Sequence, residues 1–194
     1  MKKLLLVTLW LLFTFGSSWA QTLAKIDPCK VVKDELPRIN GLHLGMTFAE
    51  ASLLLKGYFY TKPTEKNGVR LILTKEIPAT QFSDIGGLTL TFLDEELYGI
   101  KIQYKLGIAR FQSIEEYSAK LSEYLGVPRN SWSYSATDDG SVAQTKCYGF
   151  DVTAISVLNS LGTSVELQDT NLVPTLALRD YELKRSKKPP GSKP

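Results

Sequence analysis

The side chains that could do chemistry are few, and the first is the chain's single histidine, His43. A Ser-His-Asp or Cys-His site needs an imidazole to take the proton of its nucleophile, so any such site must use this residue. His43 lies between Leu42 and Leu44, with no partner placed by a recognisable spacing. The sequence favours an exposed or locally hydrogen-bonded histidine, and we predict no catalytic residue.

Metal and cofactor sites have no stronger signal. One histidine and two distant cysteines cannot complete a zinc tetrad without several carboxylates. The acidic segments Asp94–Glu96 and 138–139 lack the alternating oxygen-ligand spacing of a calcium loop and are typical of hairpin turns. The chain contains no glycine-rich nucleotide loop and no Gly-x-Ser-x-Gly motif. We therefore expect no metal and no cofactor, and the sequence leans against an enzyme without deciding the question.

The first twenty residues are organised like a secretory signal peptide. Two lysines precede the apolar segment Leu4–Phe15, which is short for a membrane anchor. Ser18 and Ala20 then place small residues at the −3 and −1 positions of a cleavage site. We expect cleavage between Ala20 and Gln21 and a periplasmic or secreted protein, with an uncleaved anchor as the alternative.

The two cysteines, Cys29 and Cys147, would then lie in an oxidising compartment, where an even count favours a disulfide. The bridge would close a very long loop, worth roughly 4 to 5 kcal/mol on the chain-entropy model. Two buried free thiols or a contact between chains are the alternatives.

The charge balance excludes little but argues against nucleic acid. Without the two signal-peptide lysines, 21 basic residues face 20 acidic ones. Most of the excess positive charge follows Tyr181, so the body of the protein is mildly acidic. A nucleic-acid partner has no electrostatic support there, and no later segment is long and apolar enough for a membrane span.

Two capping boxes organise the rest of the chain. Thr47 and Glu50 predict a helix over about 48–56, and Ser113 and Glu116 repeat the pattern at the start of a second helix. Segments of alternating apolar and polar residues follow each helix, as in antiparallel strands. The sequence therefore predicts an α+β fold, with an antiparallel sheet of about six strands and two or three helices packed on one face. A tandem helix-plus-strands repeat is one interpretation of the two caps, and coincidence is the other.

This organisation divides the chain into five segments. They are a signal peptide (1–20), an N-terminal arm (21–38), a single α+β domain (39–183) with possible halves 39–108 and 109–183, and a disordered basic tail (184–194).

The segment Leu44–Thr47, leading into a short amphipathic helix, resembles the opening of the SmpA/OmlA (outer-membrane assembly lipoprotein) domain and the related beta-lactamase-inhibitory-protein-like tandem folds. In those families Gly-x-Pro usually follows the helix. Gly126-Val127-Pro128 fits that pattern, whereas Gly57-Tyr58-Phe59 departs from it. The resemblance implies helices packed on an antiparallel sheet and envelope proteins that bind other proteins. It carries over no functional residue.

Aromatic residues give the best lead to a binding surface. Amphipathic rings are the usual anchors of such surfaces, and consecutive aromatics on an extended segment cannot all point inward. The alternative is that these rings cover the ends of one core. The residues are Tyr58, Phe59 and Tyr60 after the first helix, Trp132 and Tyr134 after the second, and Tyr148 and Phe150 on either side of Gly149. We predict the binding surface at the first five of these.

The sequence thus favours a secreted or periplasmic, non-catalytic protein-interaction module of the cell envelope, whose partner is another extracytoplasmic protein. It leaves the oligomeric state open. The alternative is a small-ligand-binding protein or an enzyme with an unrecognised site. An apolar pocket between sheet and helices would favour the alternative, and a flat exposed aromatic patch would favour the interaction module.

Overall fold

The computed structural model describes residues 28–55, 59–60, 64–66, 69–76, 84–105, 111–157 and 162–186, with the backbone alone described for the segments between 59 and 76. The expected signal peptide, its cleavage site and residues 187–194 lie outside these ranges. Tyr58 also lies outside them.

Three α-helices and two short 3-10 helices are present in the described residues. The α-helices are α1 (Phe48–Leu54), α2 (Ile114–Leu125) and α3 (Val173–Ser186), and the 3-10 helices are Lys33–Glu35 and Arg129–Ser131. Helix α3 is the third of the two or three helices that the sequence predicts. It continues to Ser186, so residues 184–186, which we had assigned to a disordered tail, are helical.

The predicted capping box of α1 is confirmed. The Thr47 hydroxyl accepts a hydrogen bond from the Glu50 backbone N–H at 3.2 Å, and the Glu50 carboxylate accepts one from the Thr47 N–H at 2.7 Å. These two bonds satisfy amide groups that a helix N-terminus otherwise leaves without partners.

The second cap differs from the prediction by one residue. Ser113 accepts from the Glu116 N–H at 3.2 Å, but the Glu116 carboxylate accepts from the N–H of Gln112 at 2.7 Å. Gly126 ends α2 with a φ of 72°, in the left-handed region that glycine reaches without a steric penalty. Both helices therefore begin at the residues that their capping sequences mark, and α2 ends at Gly126 as predicted, whereas α1 ends at Leu54, before the predicted end near residue 56.

In the residues that the structure describes, nine antiparallel strands form one sheet. They are β1 (Phe59–Tyr60), β2 (Thr64–Lys66), β3 (Val69–Glu76), β4 (Ile85–Leu93), β5 (Glu96–Tyr104), β6 (Ser133–Thr137), β7 (Gly140–Lys146), β8 (Phe150–Val157) and β9 (Thr163–Asp169). The strand order is β1-β3-β4-β5-β9-β8-β7-β6, and β2 also pairs with β3. The predicted fold class and antiparallel sheet are confirmed, with more strands than the six or so expected.

The two halves meet at the centre of the sheet. Helix α1 precedes β1–β5 and α2 precedes β6–β9, and the last strands of the two sets, β5 and β9, pair with each other. One row of buried side chains crosses this junction, because Leu90 lies opposite Ile100 and Ile100 opposite Leu167. Ala51 and Leu55 from the end of α1, and Tyr117 and Leu121 from α2, belong to the same core. Helices α1 and α2 thus cover one apolar layer shared by both halves.

A β-bulge corrects the predicted alternation of β5. Thr91 lies opposite Gly99 while Phe92 lies opposite Leu97, so β5 has one extra residue, Tyr98, at this point. The bulge keeps Leu97 and Ile100 both fully buried, although they are three residues apart. Tyr98 therefore does not share the buried side of Ile100. Within the described residues, no helix has the length and apolarity needed to cross a membrane.

Candidate functional site

The N-terminal arm is fastened to the second half of the domain by a disulfide. Cys29 and Cys147 are bonded, with Cα atoms 4.6 Å apart, and they are 118 positions apart in sequence. Beside the bridge, the Tyr148 N–H donates to the carbonyl oxygen of Val31 at 3.1 Å, and Val32 pairs with Tyr148 as an isolated parallel bridge. The predicted disulfide is confirmed, and it holds the arm against the turn between β7 and β8.

A buried ion pair fastens the next turn of the arm. Asp169 at the end of β9 is completely buried, and Lys33 Nζ donates to its Oδ2 at 2.6 Å. The other oxygen, Oδ1, accepts from the Asn171 N–H at 2.9 Å, and Glu96 Oε1 lies 3.6 Å from the same ammonium group. The hydrogen bond to Asp169 raises the pKa of Lys33, so the charged form is favoured. Neither residue was singled out from the sequence, because a lone lysine and a lone aspartate 136 positions apart carry no pattern.

An open groove with a volume of about 560 Å³ lies between this arm and the loop after α2. We call it the arm groove. Its lining consists of Pro28, Lys30, Val31 and Glu35 from the arm, and Pro128 and Asn130 from the loop and the following 3-10 helix.

The composition of the arm groove suits binding. Two prolines and a valine give it apolar surface, and Lys30 and Glu35 add one charge of each sign. None of its lining residues is a histidine, cysteine, serine or threonine. An open groove of this kind fits an extended peptide segment, whose backbone and side chains can use apolar and charged contacts together.

Tyr148 is the exposed aromatic residue next to this groove. Its side chain is 76% exposed, the most exposed of the large hydrophobic residues in the described part of the chain. Its backbone is held between the disulfide-bonded Cys147 and Gly149, and is hydrogen bonded to Val31 of the groove lining. The ring is thus presented to solvent from fixed backbone, the arrangement that lowers the entropic cost of binding. The sequence analysis did not include Tyr148 in the predicted surface.

The predicted aromatic surface is wrong for Trp132. This ring is 3% exposed and lies in the core, with its Nε1 donating to the Ser122 hydroxyl of α2 at 2.7 Å. It follows the alternative interpretation, in which aromatic rings cover the core. Tyr134 is 47% exposed, and its hydroxyl lies within hydrogen-bond distance, 3.0 Å, of the Ser118 hydroxyl.

The remaining predicted residues are not brought together with Tyr134. Phe59 and Tyr60 form β1 at one end of the strand order, and Tyr134 is in β6 at the other end. Strands in a sheet are about 4.8 Å apart, so these two edges are separated by roughly 34 Å. Tyr134 therefore lies at the opposite edge of the sheet from the strand Phe59–Tyr60. The side chains of Phe59 and Tyr60 and the whole of Tyr58 lie outside the described residues.

His43 has a local hydrogen bond. Its Nδ1 donates to the carbonyl oxygen of Leu44 at 3.0 Å, and the ring is half-buried. This contact fits the interpretation of His43 as a locally hydrogen-bonded histidine. Within the described ranges, no group of three or more histidine, cysteine, aspartate or glutamate side chains is placed to hold a metal ion.

Comparisons with known proteins add little to these observations. No protein-family model matches the chain, and no curated protein matches it. Among solved structures, the chain is similar to the crystal structure of a cysteine-rich secretory protein from Staphylococcus aureus subsp. aureus Mu50, at 10% identity and a TM-score of 0.42. That match covers 72% of this chain and 49% of the other, so this chain matches about half the length of that protein. At this similarity neither fold nor function carries over.

Proposed function

We propose that this protein is a non-catalytic interaction module that works outside the cytoplasm and binds another extracytoplasmic protein through the arm groove and Tyr148. The observation that carries the proposal is a 76% exposed tyrosine on backbone fixed by a disulfide, beside a groove with apolar and charged lining. Aromatic residues of this kind are the usual energetic centres of protein interfaces.

Location outside the cytoplasm is supported by two independent features. Disulfides form and persist mainly in oxidising compartments, and this chain has one between its two cysteines. The N-terminal twenty residues have the pattern of a signal peptide, with cleavage expected after Ala20. The resemblance of the segment before α1 to envelope assembly domains points to the same compartment.

The form of the groove supports a macromolecular partner. It lies outside the helix-covered core, between the arm and the loop after α2, and not between the sheet and the helices, where a small-ligand pocket was to be expected. Its lining includes Lys30 and Glu35, which can pair with charges of either sign along an extended segment.

Crosslinking in the intact envelope of the source cell, followed by mass spectrometry, tests the proposal. We expect one dominant crosslinked protein for the wild-type chain and its loss in Tyr148→Ser. Tyr124→Ser is the matched control, because Tyr124 is also exposed, at 51%, but lies on α2, whereas Tyr148 is hydrogen bonded through its backbone to Val31 of the groove lining. The absence of a partner at every crosslinker length, or equal loss in both variants, would refute the proposal.

A further inference from the structure

Helix α3 has a side that no part of the described chain covers. Its half-buried residues Leu176, Arg179 and Leu183, with Leu172 immediately before the helix, recur at helical spacing and mark the side that faces the protein. Because an α-helix turns by about 100° per residue, these positions also define which residues lie on the opposite, outward side. It contains Pro174, Ala177, Leu178, Tyr181, Lys184 and Arg185.

This outward side is both apolar and basic. Leu178 is 57% exposed and Tyr181 is 62% exposed. Both are large apolar side chains, and a helix whose outer side only contacts water does not require such side chains there. Lys184 and Arg185 are exposed in the last turn, and neither forms an ion pair within the part of the chain that the structure describes. The nearest acidic residues, Asp180 and Glu182, fall outside this side because they lie about 90° or more around the helix.

The side of α3 that faces the protein forms an ion pair with the rest of the fold. The Arg179 guanidinium forms a two-pronged pair with Asp94 in the turn between β4 and β5, with Nη1 donating to Oδ1 at 2.8 Å and Nη2 to Oδ2. This hydrogen bond lowers the pKa of the Asp94 carboxyl, so the pair persists at neutral pH. Leu178 and Tyr181 lie on the side of the helix away from this pair.

We propose that the outward side of α3 docks onto an anionic lipid bilayer surface. The charge of the chain's end supplies the argument for this occupant, because five basic residues and no acidic one follow Glu182. Leucine and tyrosine insert at the level of lipid headgroups, and each nearby lysine or arginine adds electrostatic attraction to anionic lipid. The surface is separate from the arm groove, so this inference does not depend on the proposed function.

Sedimentation with lipid vesicles tests the inference, using protein secreted by an expression host and with its mature N-terminus checked by mass spectrometry. We expect binding to vesicles of equal parts phosphatidylglycerol and phosphatidylcholine at low salt, and little binding to pure phosphatidylcholine. Lys184→Gln with Arg185→Gln should weaken binding about thirty-fold, and Leu178→Ser with Tyr181→Ser about tenfold. Far-ultraviolet circular dichroism of each variant verifies folding.

The matched control removes two charges elsewhere. Lys101 and Lys120 are exposed on the sheet and on α2, with 46% and 63% of their side chains accessible. Lys101→Gln with Lys120→Gln should leave vesicle binding within about twofold of wild type, because these charges are not on α3. No binding to anionic vesicles, or an equal loss in both charge variants, would overturn the inference. Binding of the protein to soluble polyglutamate that is as tight as its binding to vesicles, and that does not require Leu178 and Tyr181, would also overturn the inference. It would indicate an acidic partner instead of a lipid surface.

Discussion

At the scale of single residues, the Lys33–Asp169 pair is the most demanding feature of the fold. A completely buried carboxylate is costly unless it is paired, and here one ammonium group and one backbone N–H satisfy it. The pair also connects the arm to the end of β9, so its loss would act on the arm groove as well as on stability.

Lys33→Met is expected to reduce the free energy of unfolding by about 3 to 5 kcal/mol, because it leaves Asp169 charged and buried. Lys33→Met combined with Asp169→Asn should recover most of this loss, since the amide is neutral and can still accept the hydrogen bond from Asn171. Urea denaturation measures both values. Equal losses in the single and double variants would show that the buried charge is not the cause.

The same pair predicts a pH dependence. Because the pKa of Lys33 is raised above its ordinary value of 10.5, the folded state holds this proton more tightly than the unfolded state. The stabilisation is complete below pH 10.5 and declines as the pH rises through the folded-state pKa. The difference in unfolding free energy between wild type and the double variant should therefore shrink in alkaline solution. A constant difference from pH 8 to pH 12 would contradict this cause.

At the scale of elements, the helix caps connect sequence to structure most directly. The capped start of α1 also contacts the sheet, because the Phe48 N–H donates to the Glu95 carbonyl oxygen at 2.9 Å. The cap thereby helps to hold the first helix on the turn between β4 and β5.

Thr47→Ala should destabilise the protein by about 1 kcal/mol, because the Glu50 N–H loses its acceptor. Ser113→Ala should cost a similar amount through the Glu116 N–H. Thr175→Ala, in the exposed first turn of α3, is the control and should change stability by less than about 0.5 kcal/mol. Thermal unfolding followed by circular dichroism compares the three. A Thr47→Ala variant as stable as the control would show that the cap contributes nothing.

The sequence predicts the elements whose determinants are local. Thr47, Glu50, Ser113 and Gly126 mark helix ends through contacts within four residues, and these are read without tertiary information. Strand β2 has no apolar residue and therefore no apolar–polar alternation to mark it, although Asn67-Gly68 next to it is a common hairpin signal. The bulge at Tyr98 could not be predicted, because it depends on the partner strand β4.

The candidate site was largely beyond prediction for the same reason. The arm groove combines residues about 100 positions apart. Of the sequence features, only the predicted disulfide between Cys29 and Cys147 indicated that the arm contacts the second half. Aromatic content identified Trp132 and Tyr134 but could not distinguish a buried ring from an exposed one. Tyr148 has no sequence pattern beyond its position next to a cysteine.

At the scale of the whole molecule, two halves share one sheet and one covalent link. The described part of the chain begins with the arm, and the disulfide joins the arm to the second half. The two bonded cysteines are 118 positions apart in sequence. This link decides whether the arm groove exists as a fixed surface or as a loose segment.

Reducing the disulfide, or substituting Cys29→Ser and Cys147→Ser, should lower the free energy of unfolding by about 5 kcal/mol on the chain-entropy model. The bridge closes a loop of 118 residues, so its loss restores much freedom to the unfolded chain. Urea denaturation with and without reductant measures the effect. Reductant should leave the double serine variant unchanged, and a wild-type protein equally insensitive to reductant would contradict the prediction.

The most direct test of the central claim places a photoreactive phenylalanine analogue at position 148 and, separately, at position 124 in the source cell. Both positions are exposed tyrosines, but Tyr148 is hydrogen bonded through its backbone to Val31 of the groove lining, whereas Tyr124 lies on α2, from which no residue lines the groove. We predict one extracytoplasmic protein crosslinked from position 148 and not from position 124. A partner captured equally from both positions, or from neither, would contradict the claim that the arm groove and Tyr148 are the binding site.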